Sequence, residues 1–263
     1  MFDFLPTTIP LSIVITILAI AAIIIGISKS GFGGSTGVIA TPLVANLLPI
    51  EQTLGFMLPI LMIADIIAIK QHWNNQSWKH VRWIVSGATL GVLASTILIF
   101  LLANNTATLD TYIKLVVGIL CLFFVVFQIA RDLGMPLPHI PETRNGGITC
   151  GTFTGTVSTL SNAAGPIVAI YMIEQNLGKK RMTATMVFTF AIINWLKVPG
   201  FLFLGILSPG AVLLALCFLP FIPVGSLLGI WMHKRVNETL FNAIIYAATA
   251  LSSFSLVYKS IAP

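Results

Sequence analysis

The stretch GISKSGFGGSTGVIATPLV, residues 26–44, puts a lysine and a run of glycine, serine and threonine inside the first apolar segment of the chain. A second stretch, GTFTGTVSTLSNAAGPIVAIY, residues 151–171, has the same texture without the lysine. In water, such residues make ordinary surface turns. In hydrocarbon, an interrupted helix exposes backbone groups that cost several kcal/mol each when unpaired. It then survives only where protein or a water-filled cavity satisfies them. The solvent around these two stretches therefore decides the fold.

Composition identifies that solvent. The chain has 263 residues, 57% of them hydrophobic and only 8% charged, and its mean hydropathy is +0.98. A soluble domain carries about 25% charged residues, so this chain has too little polar side chain to cover a globule in water. It reads as an integral membrane protein whose partner is the lipid bilayer. The opening MFDFLPTTIP has no basic region, and the run over residues 9–27 is about the length of a span, so it reads as a helix that stays rather than a removable signal. The net charge of +6 would suggest nucleic acid for a soluble protein; here its placement matters more, and no nucleic-acid partner is expected. Cys121, Cys150 and Cys217 stand singly in apolar segments, which suggests neither a disulfide nor a metal site. No cofactor is expected, and no GxxxxGK[ST] phosphate loop occurs.

Interruptions by Gly, Pro, Asn or charge divide the chain into ten apolar segments: about 9–28, 36–48, 52–70, 81–103 and 111–130, then 146–159, 163–177, 182–205, 210–231 and 238–258. They lack period-2 alternation, so they read as helices, three of them too short to cross a bilayer of roughly 30 Å. Lys70, Lys79, Arg82, Arg131, Arg144, Lys179, Lys180, Arg181, Lys234 and Arg235 then fall on one side, and only Lys114 and Lys259 on the other. The positive-inside rule makes the basic side cytoplasmic, in a cell inner membrane, with both termini outside.

The two halves share a plan. An offset of 128 residues aligns Gly37 with Gly165, and one more residue aligns Asp65 with Asn194 and Met57 with Met186. The expected fold is an all-α polytopic membrane protein, one transmembrane domain over residues 1–263, with inverted repeats of five helical segments at about 9–130 and 146–258. Each repeat has a broken or re-entrant helix pair, and the two pairs meet near the midplane. Such interrupted pairs at matching positions point to a transporter's binding site.

If residues 29–36 and 158–164 meet there, the short helices beginning near Ser35 and Ala163 aim positive N-termini at one point, which suits a small anion. Gly31, Gly33 and Gly34 would admit a ligand close to the backbone. Ser30, Ser35, Thr36, Ser158, Thr159, Ser161 and Asn162 would add neutral donors. Lys29 is the sharpest residue, since a buried ammonium costs about 2.5–3.5 kcal/mol on insertion scales; the plainer reading has it snorkel to the headgroups. Asp65 is a candidate coupling-proton carrier, or else it is wetted near the basic loop. Asn194 occupies the matching place, and Lys197 either contacts the anion or snorkels outward. Gly33 and Gly37 also fit helix-packing GxxxG. GGSTG, residues 33–37, fits the nucleophile pattern G-x-S-x-G, but His72, His80, His139 and His233 all fall in loops away from Ser35, so no enzyme is expected.

GISKSGFGGSTGVIATPLV together with NLGKKRMTATMVFTFAIINWLKVPG, residues 176–200, resembles the TauE/SafE family of sulfite exporters. The resemblance runs through Lys29, Gly31, Gly33, Gly34, Gly37 and Asn194, and extends over the chain in length and layout. It implies export, or in some members uptake, of sulfite or an organosulfonate; with no phosphate loop in the chain, the energy is expected from an ion gradient or from a separate subunit. The second turn departs from the first in having Ser161 and Asn162 where the first has Gly33 and Gly34. An anion channel using the same turns as a filter is the rival reading. A homodimer is compatible with the sequence, which does not specify one.

Overall fold

The computed structural model describes residues 9–32, 37–102, 106–135, 141–175, 177–235 and 238–261. Gly33, Gly34, Ser35 and Thr36 lie outside the described residues. The chain is helical: α1 (Leu11–Phe32), a 3-10 turn (Gly37–Ile39), α2 (Ala40–Ala45), α3 (Ile50–His72), α4 (Trp78–Leu102), α5 (Thr106–Asp132), α6 (Arg144–Ser161), α7 (Gly165–Glu174), α8 (Lys179–Phe203), α9 (Pro209–Phe218), α10 (Phe221–Arg235) and α11 (Glu238–Ile261). Helix starts follow local chemistry. Thr143 caps α6 by accepting from the Gly146 N–H, and Ser208 caps α9 by accepting from the Ala211 N–H. Pro166 and Pro209 sit in first turns, where the missing N–H is harmless.

Among the described residues, six helices, from α1, α3, α4, α5, α8 and α11, are long and apolar enough to cross a membrane. Their outward faces carry exposed Leu90, Ile97, Leu101, Phe123, Val126, Leu251 and Phe254, the surface expected against lipid.

Three boundaries differ from the sequence reading. The expected single segment 210–231 is two helices, α9 and α10, meeting at a 49° bend. The cause is Pro220, which lacks an N–H and clashes with the preceding turn. α1 runs on through Phe32, so Lys29, Ser30 and Gly31 belong to a helix and not to a turn. Likewise Ser158, Thr159 and Ser161 close α6, and the interruption itself is only Asn162–Ala164.

Packing is reciprocal between the halves. α1 lies along α10 and α6 along α4; α5 pairs with α11, and α3 with α8. The α4/α6 and α1/α10 seams are glycine contacts. A Cβ on Gly151 or Gly155 would run into the backbone of Ile84 or Ala88, and one on Gly87 or Gly91 into Ile148 or Thr152. On the other seam, Gly26 faces the Ile222 carbonyl, Gly225 faces Ile23, and Gly31 and Gly229 approach each other. Small residues four apart let helix backbones touch, the way apolar helices associate in lipid.

One end of the bundle gathers the basic connections. Lys79 pairs with Glu142 at 2.8 Å, the Ser77 N–H donates to the Thr185 hydroxyl, and Tyr246 donates to Asp132 at the end of α5. The other end is tied by Asp110, which accepts from the Ile50 N–H and pairs with Lys114, and by Asn46, whose amide donates to the Ser252 carbonyl of α11.

Candidate functional site

α6 ends where Asn162 takes the left-handed conformation, φ 53° and ψ 15°. Asparagine tolerates that region better than most residues and commonly closes a helix there. Ser161 bonds back to the Val157 carbonyl and accepts the Ala163 N–H. Ala163 therefore does not offer that N–H to a ligand, contrary to the expectation for it. α7 then starts at Gly165, two residues later than expected.

A small cavity lies against this break. Ile25, Ser28 and Lys29 of α1, Gly37, Met57 and Leu61 of α3, Ser158, Asn162 and Gly165 around the break, and Phe190 and Asn194 of α8 line it. Its volume is about 20 Å³, space for a water or two. A sulfur oxyanion needs more, so the walls must move to admit one.

Three charged side chains are buried at this place. Lys29 is 5% exposed, Asp65 2% and Lys197 0%. The Lys29 ammonium lies 2.6 Å from one oxygen of Asp65, and the Asn194 amide donates to the other, also at 2.6 Å. The positions matched by the repeat offset are thus in contact. Lys29 also sits over the Phe190 ring, 5.0 Å from its centre. Lys197 donates to Asn162 Oδ1 at 2.7 Å and, at 3.3 Å each, to the carbonyl and hydroxyl of Ser158. Three acceptors match the three protons of an ammonium. Neither lysine reaches outward to headgroups.

Ordinary hydrogen bonding is not complete here. Ser28 Oγ, Ser30 Oγ and Asn162 Nδ2 are buried atoms with no hydrogen-bond partner among the described residues. Buried donors are normally satisfied, and Ser28 and Asn162 line the cavity, so both can turn a proton toward an occupant.

The predicted site residues therefore divide. Lys29, Asp65, Asn194, Lys197, Ser158 and Asn162 come together around the cavity. Gly31 is used in packing against Gly229 instead of standing open to a ligand. Thr159 turns back to the Gly155 carbonyl and Ser161 to its own helix. Gly33, Gly34, Ser35 and Thr36 lie outside the described residues. Ser28 and Phe190 escaped the sequence reading. Ser28 adjoins Lys29 and was legible by carrying the polar stretch one residue upstream. Phe190 carries no signal, since one aromatic in an apolar helix is indistinguishable from core.

The family model described as Sulfite exporter TauE/SafE matches residues 18–256 of the chain. No curated protein and no solved structure matches it.

Proposed function

The chain belongs to the TauE/SafE sulfite exporter family, whose description implies membrane transport of a sulfur-containing anion, and on that premise we propose that it is a secondary transporter exporting sulfite or an organosulfonate across the cytoplasmic membrane. The observation that carries this reading is Lys29 buried in the wall of a cavity that also holds unpartnered donors, with a second buried lysine, Lys197, directly behind that wall on Ser158 and Asn162. Intramembrane charges are expensive, and when they surround a cavity at a helix break they mark a ligand path. The anion sits against Lys29, with Ser28 and Asn162 donating to its oxygens and the positive charge of Lys197 behind Asn162.

Asp65 is the coupling group of this proposal. Its carboxylate holds Lys29 while the anion is bound, and a proton taken up by Asp65 once the anion has left links the two fluxes. The small size of the cavity favours a transporter over a channel, because an open filter would hold a continuous path for the ion.

The test is sulfite efflux from proteoliposomes containing the purified protein. Saturable efflux, slowed in Lys29→Ala and Lys197→Ala and altered by an imposed pH difference, is the expected result. Single-channel current steps would establish the channel instead, and absence of any sulfite flux or binding would remove the sulfur-anion assignment.

A further inference from the structure

We propose that the cavity selects a singly charged anion and that Asp65 sets this charge preference, an inference that rests on the anion site described above. Three charged groups lie in or just behind its wall: Lys29 of α1 lines it, Asp65 of α3 pairs with Lys29, and Lys197 of α8 holds the lining residues Ser158 and Asn162. Among the described residues, the other elements around the cavity bring only neutral side chains to it, from Ser28, Ser158, Asn162, Phe190 and Asn194. Two cations and one carboxylate leave a single unbalanced positive charge.

In a buried site that residue of charge decides what fits. Coulomb interactions there are several times stronger than in water, and an uncompensated buried charge is heavily penalised. A monoanion neutralises the site. A dianion leaves it one charge negative, and a neutral ligand leaves it one charge positive. Asp65 is held by both oxygens, one on Lys29 and one on Asn194, so it stays in the balance when the ligand enters. Lys197 supplies the complementary arm, since its partners Ser158 and Asn162 are neutral acceptors that spend none of its charge.

The ligand class that follows is a monovalent sulfur oxyanion: hydrogensulfite, or an organosulfonate with no second acid group. Sulfate, sulfite in its doubly ionised form and carboxylated sulfonates fall outside it. Asp65 is then a specificity-determining residue that acts through charge without touching the anion.

The test compares two probes whose charge does not change around neutral pH, methanesulfonate with one negative charge and sulfate with two, titrated onto the purified full-length protein. Wild type should bind methanesulfonate more tightly by roughly tenfold or more. Asp65→Asn raises the site to two positive charges, and the ratio should move toward sulfate by at least the same factor. Lys29→Met/Asp65→Asn removes the ion pair as a unit and returns the site to one positive charge, so methanesulfonate should again be preferred. That double variant reads the charge balance even if Asp65→Asn, which leaves Lys29 unpaired, does not fold. An unchanged ratio in Asp65→Asn, or a sulfate preference in the double variant, overturns the charge rule while leaving the anion site intact. Failure of the wild type to bind methanesulfonate, sulfate or sulfite removes the site itself, and the rule with it.

Discussion

Asn162 combines a backbone task with a side-chain task, and substitution can separate them. Its φ of 53° suits asparagine and glycine, while its amide oxygen accepts from Lys197. Asn162→Gly should keep the turn and lose the amide. Asn162→Ala should lose the amide and add strain of about 1 kcal/mol. Both variants should therefore weaken sulfite binding alike, but only the alanine variant should melt clearly below the glycine one in thermal unfolding in detergent. Equal melting would mean that the left-handed turn is not what α6 needs in order to stop. At this scale the sequence was partly readable. Lys29, Asp65 and Lys197 announce themselves because charge inside an apolar helix has few innocent explanations. Their pairings were not readable, since Lys197 and Ser158 or Asp65 and Asn194 meet only through the packing of whole helices.

Between elements, the glycine seams hold the helices that carry the site. Gly147, Gly151 and Gly155 on α6 are spaced by four residues, as are Gly87 and Gly91 on α4 and Gly225 and Gly229 on α10. That spacing stood in the sequence, but it does not say which helix will meet which, and the sequence reading gave its attention to Gly33 and Gly37 instead. The break in 210–231 was legible too, at Pro220; a continuous apolar run masked it. A methyl group at Gly151 meets the backbone of Ile84, which has nowhere to go, whereas Leu251 stands on the outward face of α11, exposed and away from the seams. Overpacking a close seam costs roughly 1–3 kcal/mol. Gly151→Ala should therefore lower the melting temperature markedly and Leu251→Ala much less, as differential scanning fluorimetry in detergent would show. Equal losses would mean that the α4/α6 backbones are not held in contact. Because α6 delivers Ser158 and Asn162 to Lys197, the Gly151 variant should also bind sulfite more weakly in proportion to its lost order.

For the whole molecule, the sequence supplies a sidedness that the packing makes coherent. The connections carrying Lys70, Lys79, Arg82, Arg144 and Lys179–Arg181 are brought to one end by the Lys79–Glu142 pair and the Ser77–Thr185 bond, and Asp132 beside Arg131 meets Tyr246 of α11. Asp65 lies fifteen residues into α3, counted from Ile50, and Asn194 fifteen into α8, counted from Lys179. The two touch, as matching positions do when they lie close to an axis relating two halves. We propose from this that the repeats are inverted across the membrane. Periodicity could suggest that arrangement but could not prove it, since sequence identities between the halves are few. If the basic end is cytoplasmic, the positive-inside rule puts the opposite end, with Lys259 near the C-terminus, outside the cell. A membrane-impermeant maleimide applied to intact cells should then label Lys259→Cys and spare Lys180→Cys, while permeabilised cells label both. The native Cys217 lies in the apolar stretch of α9, so a Cys217→Ala background removes its signal. Labelling of Lys180→Cys alone would reverse the orientation. The basic end would then face outward, against the charge asymmetry from which the sidedness is argued.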